Sequence, residues 1–176
     1  MVLRPPRHVD APAVASACRD PEIHRWTFIP QPYRLEDAQG WIAVQEAARE
    51  SGESLALLAA DARDDALLGA VGLTVRSREH DRLEIGYWTA AEARGRGVAT
   101  TGVRLLSRWA LGALGARRME LLPFVGNAAS CRVAERAGYL REGVMRAYFV
   151  HGGRPVDAVM YALVADGDRP SDPAPA

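Results

Sequence analysis

The chain contains no lysine; its 22 basic residues are all arginine. Any chemistry that needs a Schiff-base lysine or the lysine of a phosphate-binding P-loop is therefore excluded. Equal numbers of acidic residues bring the formal net charge to zero, so no bulk field draws nucleic acid or a membrane surface. Cysteine is scarce as well. Cys18 and Cys131 are too few to build a disulfide scaffold, which points to a reduced compartment. No segment is long and apolar enough to span a bilayer, and the opening "MVLRPPRHVD" has no apolar signal core. The expected location is the cytoplasm. His8, His24, His80 and His151 are scattered without metal-ligand spacing, so no metal is assigned.

What is present is an ordinary globular composition: 176 residues, 48% hydrophobic and 25% charged. One domain is expected over residues 1–165, followed by a disordered tail over 166–176, "DGDRPSDPAPA". "VLR" reads as a short first strand, and Asp10 is placed to cap a helix running to about Arg19. "WTFIPQPYR", Trp26 to Arg34, reads as an aromatic loop, and "LEDAQGWIAVQEAARESG" as a helix ending at Gly52. "SLALLAA", "ALLGAVGLTV" and "LEIGYWT" are strand-like runs separated by polar turns. A helix follows, with Val103, Leu106, Ala110 and Ala113 on one face, widened by Leu105 and Trp109. "RRMELLPFV" is the next strand, a short helix closes at Gly138, and two strands joined by "GG" form a terminal hairpin. This order predicts an α+β fold: a mixed, mostly antiparallel sheet flanked by helices.

Two stretches carry chemistry. The first is "ARGRGVATTG", at a strand-to-helix junction. Gly95 and Gly97 let the backbone approach an anion closely, and the N–H groups from Arg96 to Thr100 point outward at the helix start. Arg94 and Arg96 add charge, and the Thr100 hydroxyl adds a hydrogen bond. The stretch lacks the Gly-Lys-Ser/Thr of a P-loop and the three-glycine spacing of a dinucleotide fingerprint. The competing reading is a flexible turn with solvated arginines. The second stretch is "GNAASCRVAERAGY", where Asn127 and Ser130 share a helix face. Its competing reading is local: Asn127 as N-cap, Ser130 in the first turn, Gly138 as C-cap.

Taken in order and at this spacing, "EIGYW" (Glu84 to Trp88), "RGRGVAT" (Arg94 to Thr100) and "NAASCRVAERAGY" (Asn127 to Tyr139) resemble the GNAT superfamily of N-acetyltransferases. The nearest likeness is to its RimJ/RimL-like group. "EG" at Glu142 and Gly143, with Asp157 and Tyr161, fits too, and the resemblance covers Leu3 to about Leu163. It implies acetyl-CoA as donor, with the pyrophosphate on the loop formed by Arg94, Gly95, Arg96, Gly97, Val98, Ala99 and Thr100. Many GNAT enzymes carry a tyrosine seven residues after the asparagine to protonate the leaving thiolate; here that position is Ala134. RimL-like sequences tend to show a serine three after the asparagine, and Ser130 matches. Ser130 is therefore the candidate acid.

The acceptor amine must be neutral to attack. At neutral pH, deprotonation costs a lysine side chain about 4–5 kcal/mol and an α-amine about 1. An α-amine thus needs only a weak base, and Glu84 is the candidate, directly or through water. The competing role for Glu84 is a cross-strand salt bridge. Strand alternation puts Glu84 on the same side as Gly86 and Trp88, and Gly86 leaves room against the strand. Backbone N–H groups of Tyr87 and Trp88 are the candidate oxyanion donors, and Asn127 is expected to orient the cofactor arm. Cys131 near a helix start could carry an acyl group, but a small packed residue is the simpler reading. Trp26, Phe28 and Tyr33 are assigned to the acceptor pocket, against the alternative of a hydrophobic cover over the core. The acceptor is a protein N-terminus or a small-molecule amine, and a homodimer is left open. The competing functional class is a non-catalytic GNAT-fold module that binds CoA or a partner.

Overall fold

The computed structural model describes residues 1–165. Residues 166–176, expected to form a disordered tail, lie outside them. Seven strands form a single sheet in the order β1-β2-β3-β4-β5-β7-β6. They are β1 (Val2–Arg4), β2 (Ser54–Ala60), β3 (Leu67–Ser77), β4 (Arg82–Thr89), β5 (Arg118–Leu121), β6 (Leu140–His151) and β7 (Arg154–Val164). Every pairing is antiparallel except β4 with β5. The expected α+β class with a mixed, mostly antiparallel sheet is what is found.

Three helices, α1 (Ala11–Ala17), α2 (Pro21–Trp26) and α3 (Leu35–Glu50), precede β2. α1 and α3 cover one face, burying Val14, Cys18, Ala38 and Ile42 against Leu58 and Ala70. The other face is covered by α4 (Val98–Gly112) and α5 (Ala128–Ala137), which pack Val103, Leu106 and Ala134 on Val71, Leu73, Leu83, Ile85 and Met119. Full burial of each larger apolar side chain stabilises by about 1.5–3 kcal/mol. The period of two in β3 and β4 thus sorts Val71, Leu73, Ile85 and Tyr87 to the α4–α5 side. It sorts Ala70, Gly72, Thr74, Glu84, Gly86 and Trp88 to the α1–α3 side.

Four local expectations change. α2 was not foreseen; Asp20 caps it by accepting from Glu22 N–H, and Pro21 starts it. Asp10 does not cap α1: its carboxylate accepts from Arg7 N–H and both terminal nitrogens of Arg4, tying the chain entry to β1. On α4, Leu105 and Trp109 are about half exposed and Ala113 is exposed. The buried stripe is instead Val98, Gly102, Val103, Leu106, Ser107 and Ala110. Gly102 faces Val71 of β3, where a Cβ would make an ordinary contact with Cγ1 at 3.6 Å. Ser107 is satisfied in the core by the Tyr139 hydroxyl at 2.7 Å.

The fourth change matters most. The run "RRMELLPFV" stays on β7 for its whole length: Pro123 O accepts from Val159 N–H, and Val125 N–H donates to Asp157 O. Its pairing with β4, however, stops at Glu84 and Glu120. β4 continues alone on that side to Thr89. The sheet therefore splits into two halves that share only three residue pairs.

Candidate active site

The split exposes one edge of β4. Ala90 N–H donates to Leu68 O, and Val75 N–H donates to Glu53 O. Alternation from these two bonds turns the N–H and C=O of Glu84, Gly86 and Trp88 toward β3, and those of Ile85 and Tyr87 toward the split. Of the two expected backbone donors, Tyr87 N–H is thus the open one and Trp88 N–H serves the sheet.

At the top of the split, Gly95 and Gly97 take φ of +74° and +78°, left-handed values that suit glycine. A Cβ on either would meet nothing within 4 Å. Gly97 is the N-cap of α4, and Thr101 is the first residue whose N–H closes back on it, at 2.9 Å. The N–H groups of Val98, Ala99 and Thr100 precede that ladder and point along the axis with the helix dipole. Bare backbone, open space and an N-terminal dipole suit a diphosphate. The two arginines behave differently from expectation. Arg94 is paired with Asp20, and Arg96 lies 3.7 Å from Asp61 and does not line the cleft. The anion is offered backbone rather than two free guanidiniums.

Below the loop, Asn127 caps α5, its Oδ1 accepting from Ser130 N–H at 3.0 Å. Ser130 Oγ in turn accepts from the Tyr87 hydroxyl at 2.8 Å. Burial pushes the Tyr87 phenol up to about 12. Cys131, next along α5, packs against the core and does not line the cleft.

On the α1–α3 side, register aligns small residues straight across three strands: Ala56 with Gly72, and Gly72 with Gly86. The adjacent row is polar: Ser54 with Thr74, Thr74 with Glu84, and Glu84 with Glu120. Both rows up to Glu84 line one cleft of about 880 Å³, whose other walls include Trp41, Gln45, Asn127, Ser130 and, from the glycine loop, Arg94, Gly95 and Gly97 to Thr100. Glu84 is bound by Arg76 at 2.7 and 2.8 Å. Burial raises its proton affinity above the usual carboxylate range, Arg76 works against that rise, and the neighbouring Glu120 adds to it. Glu120 is buried and held by Arg118, which also grips Glu142 of the "EG" pair.

Trp26 and Phe28 reach the cleft; Tyr33 does not. The Tyr33 ring is only 5% exposed, packed with the α1–α3 core at the foot of α3. Residues not foreseen take its place. Phe28 stacks edge-on against Phe124, Phe149 and His151, with ring centroids 5.3, 5.1 and 5.9 Å away. His151 Nε2 faces the carbonyls of His24 and Thr27 and ties the hairpin to α2. Strand periodicity could not signal this cluster, because its members are brought together by the α2 loop, the end of β5 and the hairpin. Among the described residues, no group of three or more His, Cys, Asp or Glu could hold a metal ion.

The sheet thus parts between two parallel strands, with a glycine-bearing helix N-terminus at the mouth of the split and an open strand edge within. A family model described as "Acetyltransferase (GNAT) domain" matches residues 1–140. The chain belongs to the GNAT acetyltransferase family, and it is an acetyl-CoA-dependent N-acetyltransferase. It is 29% identical over 142 residues to YdaF, named a putative ribosomal N-acetyltransferase of Bacillus subtilis, covering 81% of this chain and 78% of that protein. It is 26% identical over 164 residues to YoaA of the same organism, named an uncharacterized N-acetyltransferase, covering 93% of each. The fold matches that of Mycobacterium smegmatis RimJ in complex with CoA-disulfide: TM-score 0.85, 21% identity, over 96% of this chain and 84% of that one. No helix of the described residues is long and apolar enough to cross a membrane.

Acetyl-CoA, when bound, supplies a thioester carbonyl and a thiolate leaving group. If the Gly95–Thr100 backbone holds its diphosphate, Gly97→Val will weaken CoA binding at least tenfold. The branched side chain would both fill the cradle and strain a left-handed residue. Calorimetric titration of the folded variant with CoA is the check; wild-type affinity would remove the cradle.

Proposed function

We propose that the acceptor is an α-amino group at the end of an extended segment, such as a protein N-terminus, and that it enters along the α1–α3 face of the sheet. The observation that carries this reading is the position of Glu84 beside Gly86: a partly buried carboxylate of raised proton affinity at the edge of a floor of Ala and Gly. Arg76 restrains Glu84 as a base. A restrained carboxylate suits an amine that needs about 1 kcal/mol to lose its proton, not one that needs 4–5. The floor of Ala56, Gly72 and Gly86 takes a narrow backbone, and the aromatic mouth at Trp26 and Phe28 takes the side chains that follow. The naming of YdaF as a putative ribosomal N-acetyltransferase agrees with such an acceptor.

In this reading Glu84 takes the amine proton, Tyr87 N–H donates to the acyl oxygen, and Ser130 gives a proton to the departing sulfur. Asn127 fixes the first turn of α5 on which Ser130 stands. The test is intact-mass analysis of three acceptor sets: peptides with a free α-amine and no lysine, Nα-blocked lysine peptides, and small polyamines. Acetylation is expected on the first. Turnover confined to blocked lysines or polyamines would overturn the assignment. Gly86→Ala supplies a second check. Its Cβ meets nothing within 4 Å, so the fold should stand while acceptor kcat/KM falls about tenfold through crowding of the groove. A rise in the acetyl-CoA KM alone would instead assign that space to the donor.

A further inference from the structure

A serine hydroxyl in the first turn of a helix has easy alternatives to catalysis. It can rotate to donate to a carbonyl of the preceding turn, or to water. In either case its proton points away from a bound thioester. Ser130 is held differently. Its N–H is taken by Asn127 Oδ1, and its Oγ receives the Tyr87 hydroxyl, 43 residues distant in sequence, at 2.8 Å. A phenol has one proton, and Tyr87 uses it on Ser130. One lone pair of Oγ is then occupied, and the serine proton must go to another acceptor. Ser130 lines the cleft, so the cleft is where that acceptor can be.

We propose that Tyr87 is a positioning residue that fixes the Ser130 hydroxyl with its proton toward the cleft. This rests on the reading of Ser130 as the acid. Three further observations support it. Tyr87 stands on the strand edge opened by the split and packs against the α4–α5 core, so its ring has little freedom. Its phenol is pushed up to about 12 and stays a neutral donor through the working pH range. Ala134, one turn beyond Ser130, is fully buried and offers no phenol from α5. A phenol reaches this point from β4 instead. As the serine O–H bond breaks and an S–H bond forms on the departing thiol, the charge left on Oγ strengthens the hydrogen bond from Tyr87. A water then returns a proton to Oγ, and the hydroxide this leaves is neutralised by the proton that Glu84 took from the amine and releases to solvent.

The experiment is a double-mutant cycle of Tyr87→Phe and Ser130→Ala, measured at saturating acetyl-CoA. Tyr87→Phe is expected to lower kcat about tenfold, the worth of one hydrogen bond of this kind, with the acetyl-CoA KM within about twofold. In the Ser130→Ala background it should change kcat less than about twofold. Equal losses in both backgrounds would show that Tyr87 acts independently of Ser130 and overturn the proposal. So would a slow Ser130→Ala beside an unaffected Tyr87→Phe, which leaves Ser130 as the acid. An unaffected Ser130→Ala removes the acid reading itself and the proposal with it. If Tyr87→Phe does not fold, a fluorinated tyrosine at position 87 keeps the ring and lowers its pKa. The alkaline limb of kcat should then move to lower pH, because a phenolate no longer donates. An unmoved limb would overturn the proposal.

Discussion

Glu84→Gln is expected to slow acetyl transfer about a hundredfold near pH 6, the low end of what a positioned base contributes. The reason is the protonation state of the acceptor. At that pH an α-amine is almost wholly ammonium, and the step that makes it nucleophilic is the one Glu84 would perform. The deficit should shrink as pH rises past about 8, where the free amine is abundant without help. For an acceptor with a lysine-like pKa the deficit would persist across the range. Wild-type kcat/KM should carry an acid limb lying above the ordinary carboxylate range, since burial raises the Glu84 pKa. Activity needs the carboxylate, so it falls as pH drops through that value. Arg76 lowers this pKa, so Arg76→Gln should move the limb to higher pH. A flat wild-type to variant ratio at every pH would falsify the base assignment. Glu84 would then be only the cross-strand partner of Arg76 that the geometry also shows.

Ser130→Ala is expected to cost a similar factor in kcat, with little change in the acetyl-CoA KM. The hydroxyl acts on a leaving group, and that interaction grows only as charge builds on sulfur. Removing it should spare the cap of α5, because the bond from Ser130 N–H to Asn127 Oδ1 involves the backbone. Thermal unfolding of the variant should therefore stay close to wild type. If stability falls while kcat holds, the hydroxyl serves the helix and not the chemistry. The two substitutions also sort by acceptor. Loss at Ser130 should be the same for any amine, whereas loss at Glu84 should follow the amine's pKa.

Local signals did predict local structure. Glycines at 95 and 97 foretold bare backbone at the head of α4, and both take left-handed φ there, where few other residues sit without strain. Asn127 foretold a capped α5, and the Gly152–Gly153 pair a tight hairpin, both with positive φ. Alternation in "LEIGYWT" correctly put Glu84, Gly86 and Trp88 on one face. Such features depend on a few neighbouring residues, so the sequence by itself determined them, along with the α+β class and the order of motifs that marks the family.

Contacts between distant segments were another matter. Nothing in "RRMELLPFV" says that its partner on one side ends after three pairs while the other side continues, yet that difference opens β4 and makes the cleft. The aromatic loop looked uniform, but Tyr33 went into the α1–α3 core while Phe28 met rings from the end of β5 and from the hairpin. The loop arginines looked free for an anion, but Asp20 and Asp61, far away in sequence, claim them. Leu105 and Trp109 looked buried, but α4 sits on the sheet through Val98, Val103, Leu106 and Ala110 and leaves them about half exposed. The bond from Tyr87 to Ser130 joins a strand to a helix across 43 residues. A pattern of residue types fixes which side of its own element a side chain occupies. Only the packed arrangement of elements decides what it meets there, and in this protein that is what turns a strand edge, a helix cap and a salt-bridged carboxylate into one site.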